Sequence, residues 1–229
     1  MASQDSLKVR NLLAEGVVRQ VLDDEGIALR LRYVGTGTVT SVTTVQATSV
    51  ALVTSDGGTD TYLFATYVTM GALADAINAD GIFECKVIDA LRSENPDDFF
   101  IAEVVSAGTD GNGVTCYDLL RDVSAAATAA CCLSPLNPDF DMPKGHRVHL
   151  RQISYNVDNT ASTDTLKIYK RKGTVETLIY SALNVDNTVT DVTWASGEAK
   201  ITAGVDEELV VYFDGAVADA IIAVIGERE

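Results

Sequence analysis

The sequence predicts a mainly β protein built as an α+β domain followed by an antiparallel β-sandwich. Three observations predict it. Val/Thr-rich and alternating stretches recur along the chain, the residues that fit a pleated, half-buried surface. The hydrophobic period switches clearly to a helical one at Val68–Gly81. From His146 onward, short strand-like runs follow one another with turn residues between most neighbours, the pattern of a sandwich.

The elements follow in order. Asp5–Asp24 places Val9, Leu13, Val17 and Val21 four residues apart, which fits a helical stripe weakened by Gly16 or an extended arm lying on a neighbour; residues 1–26 are therefore read as an N-terminal arm or helix. Ile27–Val34 alternates, with Ile27, Leu29, Leu31 and Tyr33 on one face and Arg30 and Arg32 on the other, as a half-buried strand does. Gly35–Val45 and Thr48–Thr54 read as strands, "SDGGTD" at Ser55–Asp60 is a hairpin turn, and Thr61–Thr66 returns from it.

In Val68–Gly81, Met70, Leu73, Ala76 and Ile77 share one helical face, with Thr69 placed to cap the start and Gly81 to follow the end. Ile82–Ala90 returns to strand, "LRSENPDDFF" is loop with a helical turn, and "SAGTDGNGVTCY" is a turn leading into another strand. Together these make an α+β domain over 27–134, a mostly antiparallel sheet crossed by one helix.

Residues 135–145 lie in "SPLNPDFDMPKG", which holds three of the four prolines and reads as a linker. The sandwich spans 146–229. Its strands are expected at His146–Val157, Thr163–Lys170, Thr174–Ser181, Val189–Trp194, Glu198–Ile201, Glu207–Phe213 and Ala220–Gly226.

Charge narrows the function. The chain carries 17 Lys+Arg against 33 Asp+Glu, a formal net charge of −16. This argues against a nucleic-acid partner, which requires a basic face, and against an anionic membrane surface. The acidity is uneven: residues 144–229 hold 9 basic and 13 acidic side chains, so most of the excess lies in the N-terminal part. Met1–Arg10 is polar and no apolar leader region follows, so no secretory signal is expected. No run of about 20 apolar residues is present, so no transmembrane helix is expected. Cys85, Cys116, Cys131 and Cys132 lack the spacing of a disulfide framework or zinc site and are expected as reduced thiols, mostly buried, in a protein made in a cytoplasm.

The motifs point to interaction more than to catalysis. "NVDNT" occurs at Asn156–Thr160 and Asn184–Thr188; Asp158 and Asp186, with Asn156 and Asn184, could offer oxygen ligands to calcium, but neither copy has the EF-hand spacing. Asp-Asn pairs suit turns, so both copies are expected as turns at one end of the sandwich. "YKRKG" gathers Lys170, Arg171 and Lys172 at the opposite end, either as a solvated hairpin tip or as a contact for an acidic partner. "YVGTGT" at Tyr33–Thr38 lacks the helix and the Lys-Ser/Thr of a phosphate loop, and "TDGNGVT" at Thr109–Thr115 reads as a turn. His146 and His149, the two imidazoles, stand three apart on a strand and face opposite sides. Trp194, the sole tryptophan, is expected in the core. No catalytic, metal or cofactor-binding residue is assigned.

Val39–Ser93, where a Thr/Val-rich hairpin leads into the L-x-x-A-I-N of Leu73–Asn78 and a returning strand, resembles a pattern in structural proteins of tailed-bacteriophage virions. His146–Ser181 resembles head-decoration or cement domains. The resemblance covers under half of the chain and transfers no site residue. It implies a non-enzymatic protein of the capsid surface, assembled in the host cytoplasm. Its partners would be the major capsid protein and further copies of itself in a homotrimer. The alternatives are a tail, neck or baseplate component and a carbohydrate-binding sandwich module that uses the NVDNT residues.

Overall fold

The computed structural model describes residues 16–21, 25–98, 103–106, 116–122, 130–133, 148–159, 165–183, 190–193, 201–204, 206–214 and 217–228. The described residues are mainly β, with antiparallel sheets and one α-helix. The chain divides into two compact units, 24–127 and a second made from 1–23 together with 128–229.

In the 24–127 unit, β2 (Glu25–Tyr33) is the centre of a three-stranded sheet, flanked by β6 (Phe83–Val87) and β8 (Cys116–Asp122). A four-stranded sheet runs β5 (Gly58–Leu63), β4 (Ser49–Thr54), β3 (Val39–Val45), β7 (Glu103–Ser106). The alternation expected in β2 holds from Leu29 to Tyr33, which are buried at every second position. A register shift against β8 between Ile27 and Leu29 buries Ala28 and leaves Ile27 half-buried.

Helix α1 (Met70–Asp80) starts and stops where its capping residues direct. The Thr69 hydroxyl accepts from the Ala72 amide at 3.1 Å, and Gly81 takes the left-handed conformation at φ 73°, open to glycine without a side-chain penalty. Its buried face, Met70, Leu73, Ala74 and Ile77, joins one core with Leu29, Leu31, Phe83 and Tyr117 of the first sheet and Val42, Val50, Leu52 and Tyr62 of the second. Each fully buried aliphatic or aromatic side chain contributes roughly 1.5–3 kcal/mol.

Gly71 sits where the chain passes closest: a Cβ there would lie 3.0 Å from the Arg92 carbonyl oxygen, to which the Gly71 amide donates at 2.8 Å. Asn78 then ties the helix to the sheet. Its side-chain amide donates to the Ala74 and Cys85 carbonyls, and its side-chain oxygen accepts from the Cys85 amide, at 2.7, 2.9 and 2.9 Å.

Among the described residues, the second unit holds two sheets. One runs β1 (Gly16–Val21), β16 (Val217–Arg228), β10 (Val148–Asn159), β13 (Thr190–Thr193), with the short β14 (Thr202–Ala203) also on β10. The other runs β12 (Val175–Leu183), β11 (Thr165–Lys172), β15 (Glu208–Asp214), β9 (Ala130–Leu133). Leu150, Ile153 and Tyr155 of the first sheet are buried, as are Leu166, Ile168 and the continuous run Leu209–Phe213 of the second. Strands β1 and β9, and β14 and β15, meet between the sheets. This is a sandwich-like arrangement.

Three expectations change here. Residues 16–21 are neither helix nor an arm on a neighbour: they are a strand paired antiparallel with β16 of the same unit, from Gly16↔Glu227 to Val21↔Ile222. Residues 130–133, read from sequence as part of the α+β domain, pair instead with β15, so the boundary between the units falls before them and not at 134. The expected turn at Asn156–Thr160 is a strand as far as Asn159, with Asn156↔Ile221 and Asp158↔Asp219 in register before a shift at Asn159. The proline-rich linker at 135–145 lies outside the described residues, as does the turn at 109–115.

Asn78→Ala deletes three hydrogen bonds at once and leaves Cys85 backbone groups without partners in a buried strand. It should cost about 1–3 kcal/mol, read as a lower urea midpoint for the 24–127 unit.

Candidate functional site

The basic tip is the first place to look for chemistry. Strands β11 and β12 form a hairpin that turns at Gly173, which has φ 58°. The register sets Arg171 opposite Glu176 on β12 and opposite Glu208 on β15, so one cation stands between two carboxylates in a row across three strands. Arg171 Nε donates to Glu176 Oε1 at 2.7 Å, and Nη1 lies 3.4 Å from Glu208 Oε2. The Arg171 side chain is 4% exposed.

The sequence placed Arg171 among candidate contact residues; it is instead a buried structural cation. Lys170 is half-buried with Nζ 3.3 Å from Glu207 Oε2, and Lys172 alone of the three is exposed. The Glu207 carboxylate is held below its ordinary range by the Gly204 amide, which donates at 2.7 Å, and further by Lys170. The tip is therefore close to charge-balanced.

The glycine-rich loop after β2 does bind an anion, and the anion is its own. Asp56 Oδ2, on the β4–β5 turn, accepts from the Tyr33 hydroxyl at 2.8 Å, from the Thr36 amide at 2.8 Å and from the Gly37 amide at 3.0 Å. A Cβ on Gly35 would lie 2.4 Å from that oxygen, and one on Gly37 would lie 2.3 Å from Ser55 Oγ. The Tyr33 hydroxyl, with the loop amides behind it, pushes the Asp56 carboxyl well below the usual range. Burial and the adjacent carboxylate push Tyr33 up. "YVGTGT" is thus a clasp for "SD", which fixes the β2–β3 connection to the β4–β5 hairpin.

Several other polar groups among the described residues pair with one another. Arg30 makes a bidentate pair with Asp118 across β2 and β8, at 2.6 Å on each arm, and Arg32 pairs with Glu84 at 2.5 Å. The Tyr62 hydroxyl bonds Asp80, and burial raises the Tyr62 pKa. His149 Nδ1 lies 3.2 Å from Thr202 Oγ1 across the β10–β14 pair. Cys85 is buried, which pushes its thiol up to about 12 and makes it a poor nucleophile. Cys116, by contrast, is exposed.

Asn156 and Asp158 lie on β10 and not in a turn; Asn184, Asp186, His146 and Trp194 lie outside the described residues. Among the described residues, no group of three or more His, Cys, Asp or Glu is arranged to hold a metal ion, and no helix is long and apolar enough to cross a membrane.

What the sequence reading missed is apolar. Val175, Leu178, Ile179 and Leu183 of β12 are 64, 48, 39 and 63% exposed, half of the large hydrophobic side chains that stand exposed among the described residues. In the 24–127 unit, Val45 and Leu63 each lie opposite Ser49 at one end of the four-stranded sheet; both are exposed, as are Val34 and Val68. The β12 group is hidden from a period-of-two reading because a bulge inserts Ile179 between Leu178, which faces Tyr169, and Tyr180, which faces Ile168.

No protein-family model matches the chain, and no curated protein matches it. A solved structure titled "Structure of infectious bursal disease virus Gt strain" aligns with 94% of this chain and 67% of that one, at 11% identity and a TM-score of 0.12. A superposition of that quality carries nothing about fold or function.

Two measurements test this site. Arg171→Ala leaves two carboxylates facing each other without their cation and should cost about 3–5 kcal/mol in urea unfolding at neutral pH. Glu176→Gln should cost less, because Glu208 remains. Asp56 has a folded pKa below its unfolded value of about 4. Its contribution is therefore complete above that value and is lost as pH falls below it. Asp56→Asn should lower stability at neutral pH and flatten the acid limb of a stability–pH curve.

Proposed function

We propose that this chain is a non-enzymatic structural protein of a tailed-phage virion, which decorates the capsid surface and stabilises it by bridging capsid subunits. The observation that carries the reading is that each of the two units exposes apolar side chains, Val34, Val45, Leu63 and Val68 on one and Val175, Leu178, Ile179 and Leu183 on the other. Exposed apolar groups on separate units suit a protein that makes protein contacts through both. The likeness of Val39–Ser93 and His146–Ser181 to virion proteins supports the same reading.

The mechanism is mechanical: interface area repeated over many symmetric copies holds the shell together. The net charge of −16 keeps the unassembled chain soluble until it docks. The carbohydrate-binding alternative loses support from the strand position of Asn156 and Asp158, half of the residues it relies on.

Quantitative mass spectrometry of purified particles tests the proposal. Decoration requires on the order of hundreds of copies per particle, whereas a tail, neck or baseplate component would give about six to a dozen on symmetry grounds. Shells stripped of the protein should also rupture at lower temperature than intact ones. Absence from the particle overturns the reading.

A further inference from the structure

Two Asp-Gly peptides of the 24–127 unit share one construction. At Asp56-Gly57, Asp56 Oδ2 accepts from the Tyr33 hydroxyl, and the Gly57 amide donates to Thr54 Oγ1 at 2.9 Å. At Asp80-Gly81, Asp80 Oδ2 accepts from the Tyr62 hydroxyl, and the Gly81 amide donates to the Asn78 carbonyl at 3.3 Å. Each carboxylate thus meets a tyrosine from another element. Each glycine nitrogen is tied back to the residue three before it. All four residues stand exposed to water.

Asp-Gly is the dipeptide in which a backbone rearranges most readily, because glycine puts no Cβ beside the attacking nitrogen. The glycine nitrogen bonds to the aspartate Cγ, the carboxyl C–OH bond breaks, and the hydroxyl leaves with the amide proton as water. Water then opens the five-membered imide. Opening at Cγ restores aspartate. Opening at the α-carbonyl leaves the chain running through the side chain, one carbon longer. The water released in the first step balances the water taken up in the second.

The fold fixes both glycines in place. Gly81 has φ 73°, and a Cβ on Gly57 would lie 2.3 Å from Ile82 Cδ1. Protection therefore falls to the groups around each peptide. The attack needs a neutral carboxyl, a free nitrogen and a carboxyl carbon able to reach it. The Tyr33 hydroxyl, ahead of the loop amides, holds Asp56 ionised. Thr54 and Asn78 occupy the two glycine amides. The ring also requires Cβ to eclipse the next nitrogen, which the helical torsion at Asp80 prevents.

We propose that Asp56-Gly57 and Asp80-Gly81 are latent sites of aspartate isomerisation, kept closed in the folded chain by the hydroxyls of Tyr33 and Tyr62. The proposal does not rest on the virion reading. Isomerised Asp56 presents its carboxylate from a different backbone position. Its clasp on Thr36 and Gly37 is then lost, and the β2–β3 connection comes free of the hairpin.

The experiment incubates the full chain at neutral pH in water labelled with heavy oxygen, and reads the two peptides by mass spectrometry after digestion. Each passage through the imide places one labelled oxygen on the aspartate, whichever way the ring opens. The native wild type should label more slowly at both peptides than the chain unfolded in urea. Losing a hydrogen bond to a charged group should open a site about tenfold more often, so Tyr33→Phe should label about tenfold faster at Asp56 and unchanged at Asp80. Tyr62→Phe should do the reverse. Far-UV circular dichroism checks that each variant is folded. If Tyr33→Phe is not, Thr54→Val frees the Gly57 amide and should give the same local gain. Equal labelling of folded and unfolded wild type, unchanged rates in the variants, or a gain at both peptides in a folded variant would each overturn the proposal.

Discussion

Strand β16 is the constraint on which the second unit depends. It pairs with β1 over residues 222–227 and with β10 over most of its length, so segments from the two ends of the sequence and from its middle share one ladder. Leu150, Ile153 and Tyr155 are buried on β10, which is held along most of its length by β16, and the buried run Leu209–Phe213 belongs to the other sheet. Such pairing carries a loop-closure entropy that grows only slowly with loop length, but it makes folding wait for distant contacts. The sheet β1-β16-β10-β13 therefore cannot close without residues 217–228, whereas the 24–127 unit contains its own core and ladders.

Electrostatics follows a similar economy. Cations are scarce in this chain, and Arg30, Arg32, Arg92, Lys170 and Arg171 each stand against a carboxylate. The exposed pairs among them add little stability, while the Arg171 row, withdrawn from water, fixes three strands in register. The Asp56 clasp uses backbone amides and a tyrosine hydroxyl in place of a cation. With these five basic groups paired, the surplus acids set the charge of the chain, and neutral apolar stretches stand out against it.

The fold class was legible because its signals are local. The helix from Met70 to Asp80 is bounded by Thr69 and Gly81 and needs no distant information. The alternation of β2 and the hairpin at Ser55–Gly58 are equally local. Where the reading failed, the deciding partner was far away. Val17 and Val21 fit a helical spacing until residues 222–227 offer a ladder. The Asp-Asn of the first NVDNT copy has turn propensity, overridden by pairing with β16. Arg171 looked like surface because Glu208, which helps to bury its charge, is 37 residues away. The apolar stripe of β12 escaped notice because a bulge disturbs the alternation that would have revealed which side chains face outward.

The strand pair that opens and closes the 24–127 unit has a consequence for how this chain could change over time. Glu25 on β2 is in register with Asp122 on β8, so the first and last described strands of the unit are neighbours across a single ladder, with these two residues about 5 Å apart. The unit is thus a cassette. The host sandwich draws its described strands from 16–21 and from 130 onward, so none of its ladders requires a strand of the cassette, which can be exchanged or enlarged without altering that topology. The surface that one unit offers can then diverge without disturbing the other.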